Sequence, residues 1–227
     1  MRLGNIFRFA VGVLLLPLCY ASVVAFGNKV IGEAGFTKQL LALGLGAATY
    51  AIVFVFFHKS LVSVFFGRKP VQRMWSTVTG YRLQDLMEQG KVTKDRTDSK
   101  GRIVPLWVIM APYMVPIYTV VGMLVVWLVK LTTDVSDETY RMVQGYVIGL
   151  TYAFHLFLIS YDVRERHPGL RAAGYMFTLV VMLLVNLQVL ALLAWLVVGV
   201  PWIEFNRALA ATAYDVYIGV WGNLASR

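Results

Sequence analysis

Long apolar segments alternate with shorter polar segments along most of this chain, and five of them are long enough to cross a lipid bilayer. A helix of about twenty apolar residues spans the hydrocarbon core, because an α-helix rises about 1.5 Å per residue. The pattern therefore predicts an all-α integral membrane protein with five transmembrane helices. The predicted spans cover residues 7–27, 38–66, 104–130, 142–161 and 172–200.

The C-terminal residues 201–227 have a different pattern, in which apolar positions recur on one face of a helix. The residues on this face include Trp202, Phe205 and Leu209. The charged residues Glu204, Arg207 and Asp215 fall on other faces. The pattern predicts an amphipathic helix that is separate from the five-helix domain of residues 1–200. Such a helix either lies at the membrane interface or packs against a partner protein, and the sequence leaves both alternatives open.

Basic residues concentrate in the connections between the apolar segments. The chain has 21 Lys and Arg against 12 Asp and Glu, which gives a net charge of +9. The connection 67–103 is the longest and most basic, and positive charge of this kind keeps a loop on the cytoplasmic side of the membrane. This distribution predicts a cytoplasmic N-terminus, a C-terminus on the outer side, and no nucleic-acid partner.

Four polar residues are predicted to form a layer at one depth of the membrane. Counting along each helix from its cytoplasmic end puts His58, Tyr113 and His155 roughly 9 to 14 Å into the bilayer. Asn186 lies at the upper edge of this layer. Two prolines flank Tyr113, and we expect them to bend the third span and open space for polar groups.

Two histidines on different helices are compatible with only a few kinds of chemistry. A catalytic zinc site needs three protein ligands and water, and the spans offer no additional carboxylate ligand, so no metal site and no catalytic residue is predicted. Axial binding of haem b, or binding of zinc, by His58 and His155 is an alternative. Simple hydrogen bonding of both imidazoles to neighbouring helices is the other alternative. The lack of carboxylates within the five spans disfavours a proton pump or a transporter.

The order of four short stretches resembles that of a bacterial family of integral membrane proteins related to site-2-protease-type zinc metallopeptidases. The stretches are His58 to Gly67, Ala111-Pro112-Tyr113 with Pro116, Tyr152 to Leu156, and Arg171 to Tyr175 with Asn186. In that family the first stretch carries H-E-x-x-H, which binds zinc and activates water. Here Lys59 replaces the glutamate and Val62 replaces the second histidine, and neither can perform those roles. The resemblance therefore implies an inactive metallopeptidase-like scaffold, a pseudoenzyme of the bacterial inner membrane.

These observations favour a non-catalytic membrane subunit that assembles or anchors a larger complex, with other membrane protein subunits and the lipid bilayer as its partners. The predicted partner-binding residues are Arg68, Lys69, Arg73, Arg82, Trp202, Phe205 and Leu209. A cofactor-binding or metal-binding module that uses His58 and His155 is a second hypothesis. A membrane metalloprotease-like enzyme is the third.

Overall fold

The fold is helical throughout the part of the chain that the structure, a computed structural model, describes. The described residues are 3–32, 37–57, 68–81, 104–164 and 174–225. Within these ranges there is no β-strand, four helices are long and apolar enough to cross a membrane, and a bent pair of helices would form one more span. The chain is therefore an all-α, multi-pass membrane protein, as its hydrophobic pattern predicts.

Eight α-helices occur in the described ranges. In chain order they are α1 (Leu3–Phe26), α2 (Lys38–Phe57), α3 (Arg68–Thr79), α4 (Leu106–Met114), α5 (Ile117–Thr132), α6 (Asp137–Arg164), α7 (Tyr175–Val198) and α8 (Trp202–Ala225). A π-helical stretch, Gly27–Gly32, extends α1. The predicted spans overlap α1, α2, α6 and α7, although the last part of the predicted span 38–66 lies outside the described residues.

The third predicted span is broken rather than continuous. Its two parts, α4 and α5, differ in direction by 51°. Pro116 has no N–H to continue the helix, and the N–H of Ile117 donates to the carbonyl of Val115 at 2.9 Å. In an unbroken helix that N–H would bond the carbonyl of Tyr113. The break therefore leaves the Tyr113 carbonyl free to accept a hydrogen bond from another helix.

Helices α2 and α6 run parallel to each other, and their backbones are in contact. A Cβ atom added to Gly46 would collide with the backbone of Tyr146 and Leu150, and a Cβ added to Gly149 would collide with the backbone of Leu43. Membrane helices associate through close packing of small residues, because lipid tails are as apolar as the helix surfaces. The two glycines therefore set the distance between these helices.

Two ion pairs lie at the end of the bundle where α6 begins, which we call the Asp137 end. Lys38 donates to Glu138 at 2.7 Å, and Lys130 donates to Asp137. The Lys38 and Glu138 side chains are 71% and 58% exposed, so their attraction contributes little stability. The pairs nevertheless show that α2 begins, and α5 ends, beside the start of α6. The opposite end, where α6 finishes, is the Arg164 end.

Helix α8 runs antiparallel to α1 and follows it for much of its length. The rings of Phe26 and Phe205 are 6.4 Å apart, and the hydroxyl of Tyr217 donates to the carbonyl of Leu14 at 2.6 Å. These contacts are twelve residues apart on α1, which corresponds to about 18 Å. Helix α8 therefore lies along the bundle rather than across one end of it. Its last described residues lie at the Arg164 end, beside the start of α1.

The apolar face of α8 packs against other helices of the same chain. Phe205 is 1% exposed and Leu209 is 9% exposed, and both belong to a core cluster with Ala21 and Ala25 of α1 and Ala191 of α7. The small alanine side chains leave the space that the larger α8 side chains fill. The prediction that Phe205 binds a separate partner is corrected, because its side chain is not available at the surface. Leu209 also lines an apolar groove with Trp202, and its role in binding a partner stays a prediction.

Candidate functional site

A cluster of polar residues lies where the broken span meets α6 and α7. It consists of Tyr113 on α4, Tyr152 and His155 on α6, and Asn186 on α7, and we call it the polar cluster. Each of the four residues is at most 7% exposed. Buried polar groups in a membrane helix bundle are costly unless they are paired. The role of each residue in this cluster therefore depends on its hydrogen-bond partners.

Asn186 is the centre of the polar cluster. Its Nδ2 donates to the freed carbonyl of Tyr113 at 3.0 Å and to the carbonyl of Met182, one turn earlier on α7, at 2.8 Å. The amide therefore supplies the donor that α4 loses at the break before Pro116. It is the backbone of Tyr113, and not its hydroxyl group, that bonds Asn186.

Tyr152 completes the connection between α6 and α7. Its hydroxyl group donates toward the backbone carbonyl of Asn186 at 2.7 Å and lies 3.2 Å from Oδ1 of the same residue. Three helices are thus joined at one residue, Asn186: its side-chain amide donates to α4, and its backbone carbonyl accepts from Tyr152 of α6.

We predict that Tyr152→Phe lowers the free energy of unfolding by about 1 kcal/mol, the usual net value of one buried hydrogen bond. The change removes the hydroxyl group and keeps the ring that packs in the core. Tyr146→Phe is the matched control on the same helix, because the Tyr146 hydroxyl makes one exposed bond to Thr49 Oγ1 at 3.2 Å. Thermal unfolding of both variants in one detergent measures the difference, and equal losses would contradict a special role for Tyr152.

His155 adjoins the same amide but is not fully paired. Its imidazole interacts with the Asn186 side chain and the Tyr113 backbone, and its ring centroid is 6.0 Å from that of Tyr152. Its Nε2 is buried and has no hydrogen-bond partner in the described part of the chain. Among the described residues of the polar cluster, this is the buried side-chain nitrogen without a hydrogen-bond partner, so it could bind a further ligand.

The structure brings three of the four predicted layer residues together, namely Tyr113, His155 and Asn186. The fourth, His58, lies outside the described residues, as do Lys59 and Val62. Across the described ranges no group of three or more His, Cys, Asp or Glu residues is arranged to hold a metal ion. Gln188, two residues after Asn186, faces away from the polar cluster and donates to Oδ1 of Asn206 on α8 at 3.1 Å.

The predicted partner-binding residues occupy two regions. Arg68, Lys69 and Arg73 lie in the first half of α3, which packs on α4 through Trp75, and Arg82 lies outside the described residues. Trp202 begins α8 and is 40% exposed. It lines an apolar groove of about 360 Å³ between α1, α7 and α8, with Leu18, Leu184 and Leu192 among the other lining residues.

Three features of the structure were not predicted from the sequence. Tyr152 was noted only as part of a family-like stretch, although its spacing of three residues from His155 places both on one face of α6. The course of α8 along α1 was also not predicted, and it places Asp215 on the exposed side of α8. A count of small residues along the helices, which reveals Gly145 and Gly149 one turn apart, would have predicted the close crossing of α2 and α6.

Together, the bundle and its internal polar cluster define a multi-pass helical membrane protein whose core polar groups bond one helix to another. No protein-family model, no curated protein and no solved structure matches the chain.

Proposed function

We propose that this protein is a non-catalytic integral membrane subunit that assembles or anchors a larger membrane protein complex. The observation that carries the proposal is the polar cluster. Its amide and phenol groups, on α7 and α6, bond backbone carbonyls of α4 and α7, so they stabilise a scaffold. A catalytic centre would instead keep such groups directed toward a substrate.

The sequence supports the same proposal independently. Lys59 and Val62 stand where the metallopeptidase-like family has its glutamate and second histidine, so the resemblance implies a pseudoenzyme scaffold in a bacterial inner membrane. The partners under this proposal are other membrane protein subunits. Arg68, Lys69, Arg73 and Arg82 of the basic loop and Trp202 at the start of α8 remain candidate contact residues.

Purification of the intact chain in mild detergent, followed by mass spectrometry, tests the proposal. We expect other membrane proteins to co-purify in fixed stoichiometry. The same membrane proteins should co-purify with the Arg141→Gln variant. Arg141 is exposed on α6 near the Asp137 end, so this variant controls for nonspecific effects of losing one positive charge. A chain that purifies alone at every detergent concentration would contradict the proposal.

A second candidate function is a cofactor-binding or metal-binding module. It is favoured by the buried Nε2 of His155, which has no partner among the described residues. Haem b or zinc bound by His58 and His155 would use this nitrogen as a ligand.

An absorption spectrum and a metal analysis of the same purified sample separate the two candidates. The subunit proposal expects no visible chromophore and no stoichiometric metal. A haem band or one zinc per chain that disappears in His155→Leu would instead support the module.

A further inference from the structure

The carboxylate of Asp215 lies at a depth of the bundle where charged groups need a partner. Asp215 is ten residues beyond Phe205, which packs against Phe26 near the Asp137 end, so it lies about 15 Å further along the bundle. It is also two residues before Tyr217, whose hydroxyl group bonds Leu14 in the middle of α1. The apolar span of α1 and its π-helical extension covers Ile6–Gly32. Leu14 is five residues, or about 8 Å, from the middle of that span, so this level lies inside a hydrocarbon core about 30 Å thick.

Asp215 points away from the rest of the chain. The buried face of α8 is formed by Phe205, Leu209 and Ala213, whereas Asp215 is exposed. In the portion of the chain that the structure describes, no hydrogen bond or ion pair reaches its carboxylate. An ionisable side chain on the outer surface at this depth is expensive in lipid, and such residues in membrane proteins face a cavity or an oppositely charged partner.

Two small residues flank Asp215 along α8 and form one edge of an exposed face, whose other edge carries Tyr214 and Ile218. Ala211 and Gly219 lie one turn before and one turn after it on the same exposed face. A Cβ atom added to Gly219 would have no atom within 4 Å, so the space beside it is open. Small residues on both sides of a polar residue let two membrane helices pack tightly and form a hydrogen bond between them.

We propose that Asp215 is the docking residue for a transmembrane helix of a partner subunit that carries a Lys or Arg near its middle. The inference rests on the proposed function, and it specifies the chemistry of the partner. Arg207, the exposed arginine of α8, would not pair with Asp215 of a second copy of this chain. Arg207 is eight residues before Asp215, so it lies about 12 Å closer to the Asp137 end. A basic side chain from another helix would pair with the carboxylate and remove the cost of its exposure to lipid.

A defined peptide tests the pairing directly. The probe is a synthetic Leu and Ala helix of about twenty residues with one central Lys, and a second peptide with Leu at that position is the reference. Energy transfer between labelled peptide and the intact protein in phosphatidylcholine vesicles measures association. We expect the Lys peptide to bind about tenfold more tightly than the Leu peptide, in the range measured for polar contacts between model membrane helices.

The matched variants are Asp215→Asn and Glu204→Gln. Both remove one carboxylate from α8, but Glu204 lies in its first turn at the Asp137 end. We expect the preference for the Lys peptide to be lost in Asp215→Asn and kept in Glu204→Gln. A preference that survives in Asp215→Asn, or an absence of preference in the wild-type protein, overturns the proposal.

The depth of α8 is tested by a separate measurement. Cys19 is the one cysteine of the chain, so Cys19→Ser with Ala211→Cys carries a single thiol beside Asp215. We expect a membrane-impermeant maleimide to leave this thiol unlabelled in vesicles, and rapid labelling would overturn the proposal. Partners that co-purify equally with wild type and Asp215→Asn would refute this inference and leave the proposed function intact, whereas a wild-type chain without partners would refute the proposed function itself.

Discussion

Gly46→Ala is expected to lower the free energy of unfolding by about 3 kcal/mol, although it adds only one methyl group. The new Cβ would collide with backbone atoms of Tyr146 and Leu150, including Leu150 N at 2.8 Å. Backbone cannot rotate out of the way as a side chain can. The change would therefore force α2 and α6 apart and weaken the packing along their whole crossing. Denaturant titration in mixed micelles measures the loss.

Gly44→Ala is the control for this prediction, because it makes the same change two residues away on the same helix. A Cβ added to Gly44 has no atom within 4 Å, and the position is exposed. Alanine has a higher helix propensity than glycine, so this variant should be neutral or up to about 1 kcal/mol more stable. Equal losses of stability in the two variants would contradict the prediction that Gly46 is needed for the close packing of α2 and α6.

Asn186→Leu is expected to cost about 2 kcal/mol, because it removes the amide that donates to the buried carbonyls of Tyr113 and Met182. The size of the loss should depend on the break in the third span. Pro116→Ala restores an N–H at the break and allows the helix to continue, so that Ile117 can bond Tyr113 directly.

A double-mutant cycle with these two changes isolates the connection between them. We expect Asn186→Leu to cost clearly less in the Pro116→Ala chain than in the wild-type chain, with a coupling of at least about 1 kcal/mol. Strictly additive losses would mean that Asn186 does not act by replacing the hydrogen bond that Pro116 removes.

The helices that cross the membrane were largely predictable, because span length depends only on a fixed rise per residue and on lipid thickness. The same rise explains why counting residues put Tyr113, His155 and Asn186 near one level. It did not reveal that Asn186 bonds a backbone carbonyl. That contact depends on the exact residue at which the helix breaks, and the sequence indicates a bend near Pro112 and Pro116 without fixing its register.

The position of α8 was harder to predict, because its own sequence does not indicate which helix it packs against. Its charged residues make it less apolar than the other long helices, which suggested a helix either at the interface or packed against a partner protein. Its packing is instead determined by Ala21 and Ala25 on a helix almost two hundred residues away, whose small side chains accommodate Phe205 and Leu209. Complementary packing between two distant segments leaves no periodic pattern in a single sequence, so it could not be predicted in this way.

The pairing of α1 with α8 also determines how the protein must be made. The Leu14 carbonyl meets its partner hydroxyl only after Tyr217 has been synthesised, 203 residues later. At typical rates of translation this interval is roughly 10 to 40 s. During that time α1 can reside in the membrane without α8, because an alanine-lined face exposes no costly group to lipid. Nascent chains arrested before α8 should therefore leave α1 inserted but unassembled, which makes its alanine face available to insertion factors.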